Sequence, residues 1–190
     1  MRLARGEDLL EAIRTSGIET NPKYSAEVTL RDGAKLLIRA IRADDKPRLI
    51  EHFNALSPES RYFRFMGTRR ELTDDDLRRF TELDFIDQVG LVVADSRAGH
   101  ERFVGIGRYS RERGAPRAEV AFAVLDQFQG HGVGTLLLQH LATIARRSGI
   151  DEFVATVMGS NRRMLEVFIN CGLPVHQKDL DGTVEVSIRL

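Results

Sequence analysis

Asp126-Gln127-Phe128-Gln129-Gly130-His131-Gly132-Val133-Gly134-Thr135-Leu136 decides how this chain is to be read. It joins the end of a β-type segment, Ala118 to Leu125, to the start of a long amphipathic helix. Three glycines alternate where strand gives way to helix, so the backbone is free to curl closely around something bulky. The first unbonded N–H groups of the helix point into that curl with the positive end of the helix dipole behind them, a geometry that binds phosphate. The spacing excludes two common phosphate loops. A dinucleotide fingerprint opened by Gly130 and Gly132 needs Gly or Ala at position 135, where Thr135 stands. A Walker loop needs Gly-Lys-Ser/Thr, and no lysine is near. What remains is Gln-x-x-Gly-x-Gly, Gln129 to Gly134, directly after a strand that holds a carboxylate. The alternative is a tight strand-to-helix turn that binds nothing, but three alternating glycines exceed what a turn requires.

Working outward, the helix from Gly132 to Ser148 carries the apolar stripes Leu137, Leu141, Ile144 and Leu138, Leu141, Ala145. Arg146 and Arg147 sit at its negative end and Gly149 closes it. Upstream, Gln88 to Ala94 is a continuous apolar run, and Arg102 to Tyr109 can pair with it across the turn Ser96-Arg97-Ala98-Gly99. Arg117 to Val124 is the next strand. Downstream, Asp151 to Val157 reads as a strand, Asn161 to Cys171 as a helix, and Thr183 to Arg189 as a strand of strict alternation. Nearer the N-terminus, Glu27 to Leu30 and Lys35 to Ile41 flank a turn and read as a hairpin. Asp44 or Asp45 caps a helix with Pro47 in its first turn, running to about Ala55. Ser57-Pro58-Glu59 opens another helix, closed near Gly67, and Thr73-Asp74-Asp75-Asp76 opens a third with carboxylates where the dipole favours them. Residues 1–34 read as an N-terminal extension holding a short helix, about Gly6 to Arg14, and the first strand of the hairpin; residues 35–190 form the main domain. The order predicts an α/β (α+β) protein, a mixed central sheet with helices on both faces, and not a doubly wound Rossmann domain.

Composition narrows the partners. Lysine plus arginine and aspartate plus glutamate number 28 each in 190 residues, so a general nucleic-acid binder is not expected. Apolar residues at 42% suffice for a full core. One cysteine, Cys171, excludes an internal disulfide and suits a reducing cytoplasm. No apolar stretch approaches the ~20 residues of a membrane span, and Met1 to Asp8 lacks an apolar signal core, so a soluble cytoplasmic chain is expected. The five histidines show no metal-ligand spacing, and no metal is expected.

The strand, the Gln129–Gly134 motif and the order of elements resemble the GNAT acyltransferases over about residues 35–190. A narrower likeness sits in Ile38-Arg39-Ala40-Ile41-Arg42-Ala43-Asp44-Asp45 and Leu56-Ser57-Pro58-Glu59-Ser60-Arg61-Tyr62-Phe63-Arg64-Phe65. These segments are similar to the acetyltransferase domain of the bacterial protein-lysine acetyltransferases that modify acyl-CoA synthetases. Some of those proteins carry a cyclic-nucleotide-binding or synthetase-like domain in front, and neither is expected here.

The resemblance implies acetyl-CoA as co-substrate and a primary amine as acceptor, with a protein lysine first, a small-molecule amine second and a silent acyl-CoA sensor third. The loop Gln129, Gly130, His131, Gly132, Val133 and Gly134 would meet the CoA pyrophosphate through backbone N–H groups, with a hydroxyl from Thr135; His131 is read as an exposed side chain in that loop. A lysine amine, with a pKa of about 10.4, arrives charged and must lose a proton. Glu119 is the candidate base. It shares one face of its strand with Ala121 and Ala123, which leaves room for a substrate, while Val120, Phe122 and Val124 point the other way; the alternative is a solvent-facing glutamate paired with Arg117. By resemblance, carbonyl stabilisation and the pantetheine contacts come from the backbone of Phe122, Ala123, Val124 and Leu125. Asn161 would contact the cofactor in this family and also suits a helix N-cap. Many members place a tyrosine acid seven residues after that asparagine, and here the position holds Phe168, so the leaving thiolate must go unassisted or take its proton elsewhere. Cys171 ends an apolar helical stripe and reads as core. The arginines 61, 64, 69, 70, 78 and 79 read mainly as solvated helix faces offset by Asp74 to Asp76, with docking of an acidic protein as the lesser option. Acceptor choice is assigned to helices and loops in residues 44–85 and 173–182.

Overall fold

The computed structural model describes residues 22–30, 33–97 and 99–190. The expected helix at Gly6 to Arg14 lies outside the described residues, as do positions 31, 32 and 98 of the two expected turns. Eight strands form one sheet: β1 (Ser25–Thr29), β2 (Lys35–Ala40), β3 (Gln88–Asp95), β4 (Arg102–Ser110), β5 (Arg117–Val124), β6 (Glu152–Met158), β7 (Val175–Leu180) and β8 (Thr183–Arg189). Their spatial order is β1-β2-β3-β4-β5-β6-β8-β7, and every neighbouring pair is antiparallel except β5 with β6. Five helices complete the described chain: α1 (Lys46–Ala55), α2 (Pro58–Phe65), α3 (Asp74–Thr81), α4 (Val133–Arg147) and α5 (Arg162–Ile169).

The helix starts follow local chemistry. Ser57 accepts the Ser60 N–H at 3.1 Å, with Pro58 in the first turn of α2. Thr73 and Asp76 cap α3 reciprocally, each side chain taking the other's backbone N–H. The main core lies between the sheet and the α4/α5 layer, where Leu137, Leu138 and Leu141 meet Val104, Val120 and Phe122. Gly105 and Gly107 let α4 come this close: a Cβ would stand 2.6 Å from Val133 Cγ1 at one and 3.2 Å from Leu141 Cδ1 at the other. On the opposite face, Ile41, Val92, Ala94 and Phe103 form a smaller cluster, with α1 lying over β4 and α2 over β5.

The strand β1, assigned from sequence to the extension, pairs fully with β2 (Val28 opposite Leu36), and Tyr24, Val28 and Leu30 are buried in the main core. The segment 173–182, in which the sequence reading named no strand, contains β7, an edge strand exposed along nearly its whole length. With both faces in solvent it shows no apolar alternation to mark it.

Candidate active site

The parallel pair β5–β6 is short. Its register runs Arg117 to Glu152, Ala118 to Phe153 and Glu119 to Val154, and stops there, although β5 continues to Val124 and β6 to Met158. Beyond Glu119 the two strands part, leaving a wedge that opens toward the glycine loop. The backbone of β5 faces this wedge at alternate residues. Leu125 donates its N–H to Val104 O at 2.9 Å, so the pair 104/125 is a hydrogen-bonded one, and with this register Ala123 and Ala121 also turn toward β4. Phe122 and Val124 therefore present their backbone groups to the wedge. Of the four residues expected there, Leu125 and Ala123 have their donors committed to β4, while Phe122 and Val124 keep theirs available. The Val124 carbonyl already accepts from Gln129 Nε2 at 3.0 Å.

At the wedge's mouth the loop forms a cradle of unbonded N–H groups. Among the described residues, the six N–H groups from Gly130 to Thr135 donate to no backbone or side-chain acceptor; the first bonded one is Leu136, to Gly132 O at 3.0 Å. Six successive free donors, three in the loop and three in the first turn of a fifteen-residue helix, suit a pyrophosphate. Gln129 differs from the expectation, because its own N–H is bonded to Asp126 O at 3.2 Å and its side chain is structural. Gly130 and Gly132 have φ of 78° and 94°, the left-handed region that glycine adopts freely. The third glycine serves packing instead. A Cβ at Gly134 would lie 3.1 Å from Val167 Cγ2, so its absence lets α4 and α5 come together. His131 is exposed, as expected of a loop side chain.

Glu119 lies at the fork itself, exposed, on the face shared with Ala121 and Ala123. Ala123 lines a pocket beneath α1 and α2 with Leu49, Phe53, Ile106, Arg64 and Arg108. Arg117, the partner considered for Glu119, instead binds Glu152 at 2.5 Å, and no carboxylate–cation pair at ion-pair distance includes Glu119 among the described residues. Asn161 is an N-cap, its Oδ1 accepting the Met164 N–H at 3.2 Å. Phe168 is buried, its ring centroid 6.0 Å from that of Phe122. Cys171 is buried and its thiol pushed up by burial, in keeping with a core residue.

Two groups of residues escaped the sequence reading. Asp126 accepts Ser57 N–H at 3.0 Å, Ser57 Oγ–H at 2.7 Å and Ser60 Oγ–H at 2.9 Å. Burial raises the pKa of Asp126, and these hydrogen bonds outweigh it, holding the carboxyl below its ordinary range. Gln129 joins the same network and accepts from Arg163 at 2.7 Å. The N-cap serine was visible in the sequence, but its partner 69 residues away was not. The second group is Arg64 with Arg108, whose pocket position no spacing rule announces.

A strand fork, a free-donor loop at a helix start and a carboxylate between them can be compared with known proteins. The acetyltransferase (GNAT) family matches residues 49–173. The chain belongs to this family. As a GNAT acetyltransferase it is an acetyl-CoA-dependent acyltransferase, and the wedge and cradle fit that donor. An acetyltransferase of Pseudomonas aeruginosa is 33% identical over 162 residues, 85% of this chain and 87% of that protein. Acetyltransferase Pat of Mycolicibacterium smegmatis is 30% identical over 85% of this chain, which spans 47% of that longer protein. The crystal structure of the GNAT domain of S. lividans PAT is 37% identical, with a TM-score of 0.80 over 87% of this chain and 97% of that one. A GNAT-fold chain from Salmonella typhimurium, solved with its cofactor acetyl-CoA, superposes with a TM-score of 0.62 at 21% identity, covering 82% of this chain and 92% of that one.

Proposed function

We propose that this acyltransferase moves an acetyl group from acetyl-CoA to the side-chain amine of a protein lysine, by direct attack in a ternary complex with Glu119 as general base. The observation that carries this reading is the place of Glu119. It is exposed, in no ion pair among the described residues, and stands at the last β5–β6 pair, on the side of the sheet where α1 and α2 leave a pocket. Acetyl-CoA supplies an activated thioester carbonyl. The cradle of Gly130 to Thr135 would hold its pyrophosphate, and the backbone of Phe122 and Val124 would meet its pantetheine arm and the carbonyl oxygen. Glu119, directly or through a water, takes the ammonium proton so that the nitrogen lone pair can attack. With Phe168 buried and without a hydroxyl, the sulfur leaves as a thiolate; a thiol pKa of about 8.5 makes that feasible. The likeness to the Pat proteins supports a protein acceptor, with acyl-CoA synthetases as the first substrates to try, and a cytoplasmic setting.

The test uses labelled acetyl-CoA and a cell extract split by filtration into proteins and small metabolites. Label on protein lysines is the expected result, and the modified bands name the substrate. Label only in the filtrate moves the acceptor to a small amine. Label in neither, with acetyl-CoA binding intact, points to a silent sensor.

A further inference from the structure

The pocket beneath α1 and α2 is apolar except for two guanidiniums and the imidazole of His52. Arg64 comes from α2 and Arg108 from β4, one strand over from the base, opposite Ala121 in the register. Each lies on an aromatic ring: Arg64 is 5.2 Å from the Phe65 centroid and Arg108 is 5.1 Å from that of Phe80. Their neighbours each have a carboxylate partner. Arg79 reaches Asp76 at 3.1 Å, Arg69 also pairs with Asp76, and Arg78 pairs with Asp75. Arg64 and Arg108 do not: among the described residues neither has a carboxylate within 4.0 Å, and the one hydrogen bond of Arg108 is a long one, 3.4 Å to Gln88 Oε1. Burial, and then the charge of Arg108, pulls Arg64 down to about 10, with Glu119 alone pulling it up. Arg108 is lowered by burial and by Arg79, again with Glu119 opposing.

Removing a guanidinium from water without a counter-charge is unfavourable, and two side by side are more so. The arrangement also works against the reaction as proposed, since two cations beside Glu119 repel an incoming ammonium. Both costs fall if the acceptor brings a negative charge with its amine. Arg69 and Arg79, which share the one carboxylate of Asp76, add to the positive field around Arg64 while Glu119 opposes it, so the pocket favours an anion, and a carboxylate offers one oxygen to each guanidinium.

We infer that the acceptor carries a carboxylate close to its reactive amine, bound between Arg64 and Arg108 while the amine lies at Glu119. The inference rests on the transferase reading above and names its substrate class. On a protein the carboxylate belongs to an acidic residue flanking the acceptor lysine. On a small acceptor it belongs to an amino acid.

The experiment measures CoA release by the full chain with acetyl-CoA and four acceptors in acid/amide pairs. One pair is a blocked Asp-Lys-Gly peptide and its Asn-Lys-Gly counterpart; the other is β-alanine and its amide. The acid member should be preferred by roughly 10- to 100-fold in kcat/KM, the weight of a charged hydrogen-bonded contact. In Arg64→Gln, and separately in Arg108→Gln, the ratio should collapse toward one while acetyl-CoA affinity, which a misfolded variant would lose, is retained. A preference confined to the peptide pair assigns the carboxylate to a protein neighbour, and one confined to β-alanine assigns it to a small acceptor. Equal rates within both pairs overturn the inference and leave the transferase reading standing. Transfer to none of the four counts against that reading instead. The carboxylate site is then decided by glutarate: a raised Tm in the wild type but not in Arg64→Gln keeps it, and no shift in either ends it.

Discussion

Gln129 donates from Nε2 to Ser60 Oγ at 3.1 Å, across 69 residues of sequence, and so fastens the phosphate loop to helix α2. Ser60 passes the contact on to Asp126, which also holds Ser57 at the start of the same helix. The helix that carries Arg64 toward the acceptor pocket and the loop that would carry the donor are thus anchored to a single carboxylate. Asp126→Asn has one acceptor oxygen for three donors and turns an NH2 toward at least one of them. The half-buried network should lose about 1–2 kcal/mol, read by denaturant unfolding. Acetyl-CoA affinity should fall with it, since Gln129 loses its fixed neighbour. Stability lost with affinity intact would mean that the two sites are not coupled through Asp126.

Glu119→Gln keeps the shape and the hydrogen-bonding body of the side chain but cannot take a proton. Turnover should drop by roughly 10²–10⁴-fold, with the dissociation constant for acetyl-CoA unchanged because Glu119 lies on the acceptor side of the sheet. An unchanged rate would remove Glu119 from the base role.

Gly130 and Gly114 separate conformational strain from ligand contact. Both have positive φ, 78° and 73°, and neither has anything within 4 Å of an added Cβ. Alanine at either should cost about 1 kcal/mol of stability through the backbone alone. Only Gly130→Ala should also raise the dissociation constant for acetyl-CoA, because only there does the new methyl stand among the free N–H groups. Equal affinities in the two variants would argue against the cradle.

The loop was legible because glycine at alternating positions answers a geometric demand that few turns make. Strand β5 was legible because Val120 and Phe122 are buried while Glu119 and Ala121 are not, the period-two pattern of a half-buried strand. Other features leave no such mark. Strand β7 is solvated on both faces, so Val175 to Leu180 lacks alternation. Which of Phe122 to Leu125 face the wedge depends on the register with β4, and a backbone donor has no side-chain signature. The arginines of α2 and α3 look alike in sequence. Only packing shows that Arg69 and Arg79 share Asp76 while Arg64 turns into the pocket.

His52 and His140 set an acid limit on stability. His52 is buried with its Nδ1 2.9 Å from Phe103 O, and buried His140 pairs with the Tyr24 hydroxyl. Burial lowers both from 6.5 to about 4. Between those values the unfolded chain binds protons that the folded chain refuses, so folding weakens as pH falls from 6.5 toward 4 and is unaffected by these groups above that window. The slope should approach about 1.4 kcal/mol per pH unit for each histidine. Denaturant midpoints at a series of pH values check this, and His140→Phe should remove about half of the slope. A flat profile would mean that the imidazoles are accessible to protons in the native state.

Phe168→Tyr restores the hydroxyl that many family members carry, and it should not help. Phe168 is 1% exposed and packs its ring against Phe122, on the face of β5 opposite Glu119. A hydroxyl added there enters a filled core. Burying it unpaired costs about 1–3 kcal/mol, and crowding adds to that. The variant should therefore melt at a lower temperature with kcat no higher than the parent. A gain in kcat, with the alkaline limb of its pH profile moved, would show instead that the tyrosine hydroxyl reaches the departing sulfur and that the wedge is more open than its packing allows.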